Sequence, residues 1–305
     1  MTRILVPPGI GDIYWVMVKL RGFCRAHGIK DPEIWIDAPN DRKRSIGFIE
    51  RITFVKAGGY FCRSGDSPAT AMAGRRKRLG IPDATREEAY TRDGRHAFRG
   101  IDGFDWFLSF NGSINAGRSL DEVEPQWPAE WDIPFMVTAG EAQYGAVLRA
   151  SAGPYVVAAF FDAGFYRRWL AELPPADIYE MLSRIHDGTG RRIILTGASW
   201  DDSPLNRALM DMDSQHGRIL SLIGETTLEQ YFGALRASDG CIGFPAGNTM
   251  MGAVFGRPTA IIWNKFFDRR MWRNALPPHL RNYAPLDTAL GAQDIADSFI
   301  GMLHE

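Results

Sequence analysis

The sequence has few cysteines and no long apolar run, and each absence removes a class of protein. Cys24, Cys62 and Cys241 are scattered through 305 residues without a Cys-x-x-Cys pair. That spacing argues against a disulfide framework and against a structural zinc site, and it fits a reducing compartment. No apolar run approaches the roughly 18 residues that a membrane span needs. We therefore expect a cytoplasmic protein with no signal peptide and no transmembrane segment.

The sequence also lacks a net charge that would point to a polyanionic partner. Its 35 Lys and Arg residues nearly balance its 36 Asp and Glu residues, so the whole chain shows no bias towards nucleic acid or an anionic membrane. Two stretches depart from that balance. Residues 71–99 carry eight basic against four acidic residues, and residues 265–281 carry five against one. These stretches leave open a solvated surface, a phosphate-binding edge or a nucleic-acid partner.

Metal-ligand and hydrolase patterns are missing as well. The six histidines include no His-x-x-x-His or Glu-x-x-His pair, so we interpret them as surface or packing residues and predict no metal site. The motif Gly-x-Ser-x-Gly, which forms the nucleophile turn of many hydrolases, does not occur.

The N-terminal pattern is typical of a βαβ unit. A short apolar run at residues 3–7 predicts a buried strand, residues 12–27 repeat apolar side chains at helical spacing, and residues 33–37 predict a second strand. Gly28 after the helical stretch is a helix stop signal. Strand, helix and strand in so short a span indicate a parallel sheet.

Gly9 and Gly11 lie between the predicted strand and helix, where a dinucleotide-binding fingerprint would stand. That fingerprint needs a third glycine, and its position is occupied by Tyr14, which weighs against a nicotinamide oxidoreductase. Two interpretations of Asp12 remain open. It is either an acidic residue whose charge interacts favourably with the positive end of the helix dipole, or a general base that the glycines present to a substrate.

A second series of strands and helices predicts a second doubly wound half. A further strand of the first half is expected at residues 104–110, and the second series starts at Tyr155, with strands expected at residues 155–161, 191–196, 219–222, 240–243 and 259–263. We expect further helices at residues 176–187, 203–213, 247–255 and 292–303, and one more that opens at a capping box of Thr226 and Glu229. The predicted domains are residues 1–148 and 149–285, and the last helix, within 286–305, is expected to pack back on the first domain.

The loop after the strand predicted at 240–243 is rich in small residues and leads into a helix. It runs from Phe244 to Gly247, and Asn248 and Thr249 follow in the first helical turn. Free N–H groups and the helix dipole attract phosphate at such a place, although Asn or Thr there is also an ordinary helix cap.

Four segments together resemble the heptosyltransferases of glycosyltransferase family nine. The sequence G-I-G-D at 9–12 is similar to that family's N-terminal G-G-I-G-D motif. The segment at residues 155–169, YVVAAFFDAGFYRRW, resembles the strand and K-x-W loop that open the family's second domain. Residues 220–235 resemble its L-x-G-x-T-S-L-x-E-L-x-x-L segment, and residues 238–263 its donor-site signature D-S-G-x-x-H-L-A-A-A-L-G-x-P. The four segments follow one another in the family's order.

The resemblance implies a GT-B fold, in which two Rossmann-like, doubly wound domains face a central cleft. It implies an inverting, metal-independent transfer of a sugar from a nucleotide sugar to a hydroxyl of an acceptor glycan or another molecule, with no further cofactor. Asp12 falls on the family's catalytic base. Arg167 falls where the family commonly has a lysine near the donor phosphates, and Gly247 matches the glycine at the helix start.

The chain also departs from the family pattern, chiefly in the donor loop. Pro245 replaces the family's acidic residue, Ala246 replaces a small hydroxyl residue, and Met250 replaces a histidine. Phe160-Phe161-Asp162 stands where the second domain usually has a His-Pro-Gly type of sequence. The resemblance therefore implies altered contacts to the diphosphate and the sugar.

These patterns assign residues to the two domains. On the second domain, the expected donor-binding residues are Arg167, Arg168, Gly197, Thr226, Phe244, Gly247, Asn248, Thr249 and Lys265. The expected acceptor-side residues are Gly9, Gly11, Tyr14, Trp15, Asn111 and Asp162, with Asp12 as the catalytic base. The alternatives are a non-catalytic nucleotide- or nucleic-acid-binding protein on the same fold, and a transferase that acts on modified nucleic-acid bases.

Overall fold

The computed structural model describes residues 1–38, 43–61, 95–101, 103–160, 167–199, 202–264, 274, 276–278 and 280–305. It divides into two compact units. Unit 1 comprises Met1–Met136 with Arg270–Pro277, and unit 2 comprises Val137–Arg269 with Pro278–Glu305.

Unit 1 is built on a five-stranded sheet whose order is β3-β2-β1-β5-β4. Its strands are β1 (Thr2–Val6), β2 (Pro32–Asp37), β3 (Lys56–Phe61), β4 (Ala97–Ile101) and β5 (Phe104–Leu108). Its described helices are α1 (Ile10–His27), α2 (Lys43–Ile49) and α3 (Asn111–Asn115). Strand β1 pairs in parallel with β2 and β5, β2 with β3, and β4 is antiparallel to β5. The strand order changes direction between β1 and β5.

Helix α1 is buried along most of its length, and this explains its largely apolar sequence. It ends where predicted, because Gly28 adopts a left-handed conformation with φ 65°. The segment after α3 lies directly against the helix. The Glu130 N–H donates to the carbonyl of Val18 at 2.8 Å, and a Cβ at Gly22 would lie 2.7 Å from the backbone nitrogen of Pro128. Gly22 therefore permits the close approach of this segment.

Unit 2 is built on a six-stranded sheet whose order is β11-β10-β9-β6-β7-β8, and all of these pairings are parallel. Its strands are β6 (Tyr155–Ala159), β7 (Arg192–Leu195), β8 (Ile219–Ser221), β9 (Gly240–Gly243), β10 (Thr259–Trp263) and β11 (Tyr283–Asp287). Its described helices are α4 (Ala139–Ala152), α5 (Arg167–Glu172), α6 (Pro175–Thr189), α7 (Pro204–Asp213), α8 (Leu228–Ala237), α9 (Gly247–Val254) and α10 (Gly291–His304), with a 3₁₀ turn at Thr288–Leu290. This is the strand order of a Rossmann sheet, and it reverses between β6 and β9.

The units divide between Met136 and Val137, earlier than the predicted boundary at residue 148. The reason is that α4 packs closely on α8 of unit 2. A Cβ at Gly145 would lie 2.5 Å from the carbonyl oxygen of Gly233. Beside this contact, the fully buried Glu141 carboxylate accepts a hydrogen bond from Arg236 Nε at 2.6 Å.

The last helix, α10, packs on α6 within unit 2, where Asp297 pairs with Arg184 at 2.6 Å. Its predicted packing on the first domain stays a prediction. One expectation about unit 2 differs from the structure. The predicted capping box of Thr226 is wrong. The N-cap of α8 is Thr227, whose side chain accepts from the Gln230 N–H at 3.2 Å, while the Gln230 side chain binds back to the Thr227 N–H at 2.9 Å.

Candidate functional site

In unit 1, the candidate site lies at the carboxyl ends of β1 and β5. Strand order reverses between these strands, and ligands of open α/β sheets bind at such a point. Asp12 is the third residue of α1, after β1, and Asn111 is the first residue of α3, after β5. Both residues are half-buried. The two polar side chains thus follow neighbouring strands at the same edge of the sheet.

Gly9 sets the surroundings of the Asp12 carboxylate. It is the N-cap of α1, with φ −72° and ψ 138°, and α1 has no side-chain hydrogen bond at its cap. A Cβ at Gly9 would overlap Asp12 Oδ2 and lie 3.3 Å from Asp12 Cγ. The carboxylate therefore folds back over the glycine, a position that only a residue without a side chain leaves open.

Two of the expected acceptor-side residues are buried. Tyr14 is fully buried and Trp15 is 3% exposed, so neither ring is exposed in this structure, and the acceptor contacts of both rings stay a prediction. The Tyr14 hydroxyl has no hydrogen-bond partner among the described residues, and burial together with the nearby Asp132 raises its pKa. Gly11 is buried beside them.

Behind Asn111 lies a chain of polar side chains that is buried at His96 and Ser113 and that no sequence motif predicts. His96 precedes β4 and is 1% exposed; its Nδ1 lies 2.9 Å from Glu124 Oε1 and its Nε2 lies 2.7 Å from Ser113 Oγ. Its ring stacks on Phe110, with 5.2 Å between centroids. The interpretation of all histidines as surface or packing residues is therefore incomplete. The partners are 17 and 28 residues away in sequence, so no local pattern signals them.

In unit 2, the candidate site lies at the carboxyl end of β9, where the strand order again reverses. Helix α9 begins at Gly247, and its N-cap, Ala246, is extended and makes no side-chain cap hydrogen bond. Gly247 and Asn248 are half-buried in the first turn. The positive end of the helix dipole there suits an anion.

Interior contacts hold the loop that precedes α9. The Thr249 hydroxyl donates to the carbonyl of Phe244 at 2.8 Å, and the Tyr231 hydroxyl donates to the carbonyl of Asn248 at 2.8 Å. Phe244 is fully buried and packs edge-on against Phe160, with 5.1 Å between centroids. The side chains of Phe244 and Thr249 thus shape the loop from inside, and the donor contacts expected of these two residues stay a prediction.

The loops after β7 and β8 pack on each other beside this site. The Gly224 N–H donates to the carbonyl of Gly197 at 3.1 Å, and a Cβ at Gly224 would lie 3.2 Å from Ser199 Cα. Thr226 is 5% exposed. Gly197 therefore lines the carboxyl edge of the sheet through its backbone, whereas the Thr226 side chain is turned inward.

Four predicted site residues lie wholly or partly outside the part of the chain that the structure describes. Asp162 and Lys265 lie outside the described residues, as does most of both basic stretches. Arg167 and Arg168 begin α5, but their side chains are outside the described part.

The described residues contain no group of three His, Cys, Asp or Glu side chains that could hold a metal ion. The Asp-Met-Asp sequence at 211–213 is structural, since Asp213 is 2% exposed and accepts a hydrogen bond from the Ile219 N–H at 2.7 Å. In the described part of the chain, no helix is both long enough and apolar enough to span a bilayer.

Comparisons with known proteins bear on the fold. No family model matches the chain, and no curated protein matches it. Among solved structures, ADP-heptose LPS heptosyltransferase II of E. coli has a TM-score of 0.64 at 15% identity, over 100% of this chain and 99% of that chain. A family 9 glycosyltransferase of Veillonella parvula has a TM-score of 0.54 at 11% identity, over 94% and 86%. The E. coli heptosyltransferase WaaC, solved with ADP, has a TM-score of 0.54 at 12% identity, over 94% and 93%.

These matches confirm the predicted α/β fold class with two Rossmann-like domains, and with it the fold that the resemblance to heptosyltransferases implies. The chain has the GT-B fold of these enzymes. At such identities the likeness concerns the fold, and function has to be argued from the sites.

Proposed function

We propose that this protein is an inverting glycosyltransferase, which moves a sugar from a nucleotide-sugar donor to an acceptor hydroxyl without a metal ion. The observation that carries the proposal is the position of Asp12, an acidic side chain over a glycine at the strand-order reversal of unit 1. Two findings support it: unit 2 has an uncapped helix N-terminus at its own reversal, and the solved structures of this fold include heptosyltransferases, one of them with ADP.

The donor diphosphate would bind at the start of α9. The backbone N–H groups of Gly247 and Asn248 would donate to it, and the helix dipole would favour its charge. Arg167, Arg168 and Lys265 would supply positive charge, and a guanidinium can bind a phosphate through two parallel hydrogen bonds. The backbone of the loops after β7 and β8, including Gly197, would line the nucleoside.

Asp12 would act as the general base. As the acceptor oxygen attacks the anomeric carbon, its proton passes to the Asp12 carboxylate, the new C–O bond forms and the bond from the anomeric carbon to the diphosphate oxygen breaks. The nucleoside diphosphate leaves with the bonding electron pair, and the start of α9 stabilises its charge. Attack opposite the leaving group inverts the anomeric carbon.

The first experiment is a thermal-shift panel of ADP, UDP, GDP, CDP and TDP with their sugar derivatives, and with NADH as a control. A ligand at about 100 times its Kd stabilises a protein by about 2.7 kcal/mol. We expect a rise in Tm with one nucleoside diphosphate and its sugar, and none with NADH. A rise with NADH alone would contradict the proposal.

The second experiment tests the role of Asp12 with the donor that the panel identifies. In Asp12→Asn, release of nucleoside diphosphate is expected to fall about 10²-fold or more, while the donor-induced shift in Tm is kept. Equal turnover in the variant and the wild type would remove Asp12 from the mechanism.

A second candidate function is nucleotide or nucleic-acid binding without catalysis. The donor loop favours it, because Pro245 and Ala246 bring no acid or hydroxyl group to the start of α9. Nucleotide binding without turnover on any acceptor would support this alternative. If a modified nucleic-acid base is the acceptor, turnover is expected to fall steeply with salt.

A further inference from the structure

The buried chain Glu124–His96–Ser113 has the atom order of a serine-hydrolase triad, but its surroundings exclude that chemistry. Ser113 is fully buried, and it lies within helix α3 rather than on an exposed turn between strand and helix. Its hydroxyl therefore offers no nucleophile to a substrate. The chain needs another explanation, because buried polar groups carry a desolvation cost that must be offset by full hydrogen bonding.

The hydrogen bonds of His96 have a defined direction. A carboxylate can only accept, so Nδ1 carries a proton and donates to Glu124 Oε1 at 2.9 Å. In the neutral ring Nε2 then accepts from the Ser113 hydroxyl at 2.7 Å. Stacking on Phe110 fixes the ring plane. His96 thus holds α3 at two places, through Phe110 at its N-cap and Ser113 in its first turn.

The other end of the chain is tied to α1. Lys19 is 1% exposed, and its Nζ donates to the carbonyls of Trp127 at 2.7 Å and of Glu124 at 3.3 Å. Lys19 lies seven residues after Asp12, two turns along the same face of α1. Glu124 itself has φ 49°, a left-handed conformation that persists in a non-glycine residue only where its surroundings hold it. The Gln126 side chain also binds its carboxylate, at 2.5 Å.

The chain therefore joins the two helices that begin at the strand-order reversal of unit 1. Helix α3 has five residues and no side-chain cap, so its orientation depends on tertiary contacts. We propose that His96 is a positioning residue, which fixes α3 so that Asn111 meets the acceptor hydroxyl beside Asp12. This inference rests on the proposed function, and it adds Asn111 as the group that orients the attacking hydroxyl.

Two conservative variants separate the two hydrogen bonds of His96. The amide of Gln reaches the place of Nε2 and can serve Ser113, whereas the amide of Asn reaches the place of Nδ1 and can serve only Glu124. We expect His96→Asn to lower nucleoside diphosphate release about tenfold or more, and His96→Gln to stay within about threefold of the wild type. The donor-induced shift in Tm and the KM for donor are expected to stay unchanged in both variants.

Ser113→Ala supplies the matched control. It removes the same hydrogen bond from the other side, so it should lower turnover as His96→Asn does, and the double variant should be no slower than either single variant. Amide hydrogen exchange gives a readout besides activity. Exchange within α3 should rise in His96→Asn and Ser113→Ala, and should stay at the wild-type rate in His96→Gln.

The outcomes distinguish this inference from the proposed function. If the wild type turns over and all three variants, His96→Asn, His96→Gln and Ser113→Ala, keep its rate, this inference alone is overturned. Equal loss in His96→Asn and His96→Gln with unchanged exchange in α3 would overturn it too. An absence of turnover in the wild type and in Asp12→Asn alike would refute the proposed function, and this inference with it.

Discussion

Gly9→Ala is a sharp test of the candidate site, because it perturbs Asp12 without touching its chemistry. The backbone of Gly9, at φ −72° and ψ 138°, is open to alanine. The new Cβ, however, would overlap Asp12 Oδ2 and lie 3.3 Å from Cγ. Restoring ordinary van der Waals separation requires the carboxylate to move by about 1 Å. A misplacement of that size can cost about 10²-fold in rate, equivalent to about 2.7 kcal/mol in the barrier.

The stability of this variant should change little, because two effects oppose each other. Replacing glycine stabilises by about 0.4–1 kcal/mol through the unfolded chain, while alanine is a poorer N-cap than glycine by up to about 1 kcal/mol. The assay is nucleoside diphosphate release with the identified donor, alongside Tm. We expect turnover near 1% of the wild type and a Tm within about 4 °C of it. Turnover within threefold of the wild type would refute the argument that Gly9 shapes the Asp12 site.

Three further predictions concern the scaffold of the two units. Gly233→Ala would drive a Cβ into the backbone of α4, so we expect urea denaturation to give a free energy of unfolding that is lower by about 2 kcal/mol or more. Gly301→Ala is the control: its new Cβ has no atom within 4 Å, and it should raise the free energy of unfolding by about 0.5–1 kcal/mol. Burial lowers the pKa of Lys19 to about 8. Between that pH and the pKa of Lys19 in the unfolded chain, the unfolded chain binds more protons than the folded one, so the free energy of unfolding rises with pH. In Lys19→Met, the rise in the free energy of unfolding between pH 8 and pH 10 should be smaller by roughly 1–3 kcal/mol. Thr249→Val removes the hydrogen bond to the Phe244 carbonyl, so it should lower the free energy of unfolding by about 1–3 kcal/mol and reduce the donor-induced shift in Tm. An unchanged shift would show that this loop takes no part in donor binding.

The central strands of both sheets and the edge strand β8 could be predicted from the sequence, whereas the edge strands β3, β4 and β11 could not. Strands β1 and β6 are short apolar runs that are buried on both faces, which is the pattern of a parallel sheet. Strand β3 contains Gly58 and Gly59, over which the Trp35 ring lies, and β11 contains Pro285. Glycine and proline weaken a strand prediction, and both are tolerated at the edge of a sheet, where a missing side chain or donor costs little.

The local backbone around Asp12 and Gly247 can be predicted from the sequence. Asp12 and Gly247 follow from a strand, a glycine and a helix start, a local pattern that the sequence shows directly. The sequence predicts ligand contacts for Tyr14, Phe244 and Thr249, whereas their side chains are buried in the structure. Burial depends on segments far away in the sequence, and a polar or aromatic side chain near a helix start can turn either way. The role of His96 cannot be predicted locally for the same reason, since its hydrogen-bond partners Glu124 and Ser113 come from other segments.

In the proposed mechanism the altered loop before α9 would still bind a diphosphate, because the groups that would bind it are backbone atoms. Gly243 must lack a side chain, since a Cβ there would overlap the carbonyl oxygen of Ala159 and lie 3.0 Å from Thr249 Oγ1. The Thr249 hydrogen bond then fixes the turn into α9, and the turn aims free N–H groups of the first helical turn at the carboxyl edge of the sheet. None of these features requires an acid at position 245 or a hydroxyl at position 246. If the proposed function holds, Pro245 and Ala246 should therefore change which sugar is accepted more than whether a diphosphate binds, because the helix start would hold the diphosphate and side chains around it would hold the sugar.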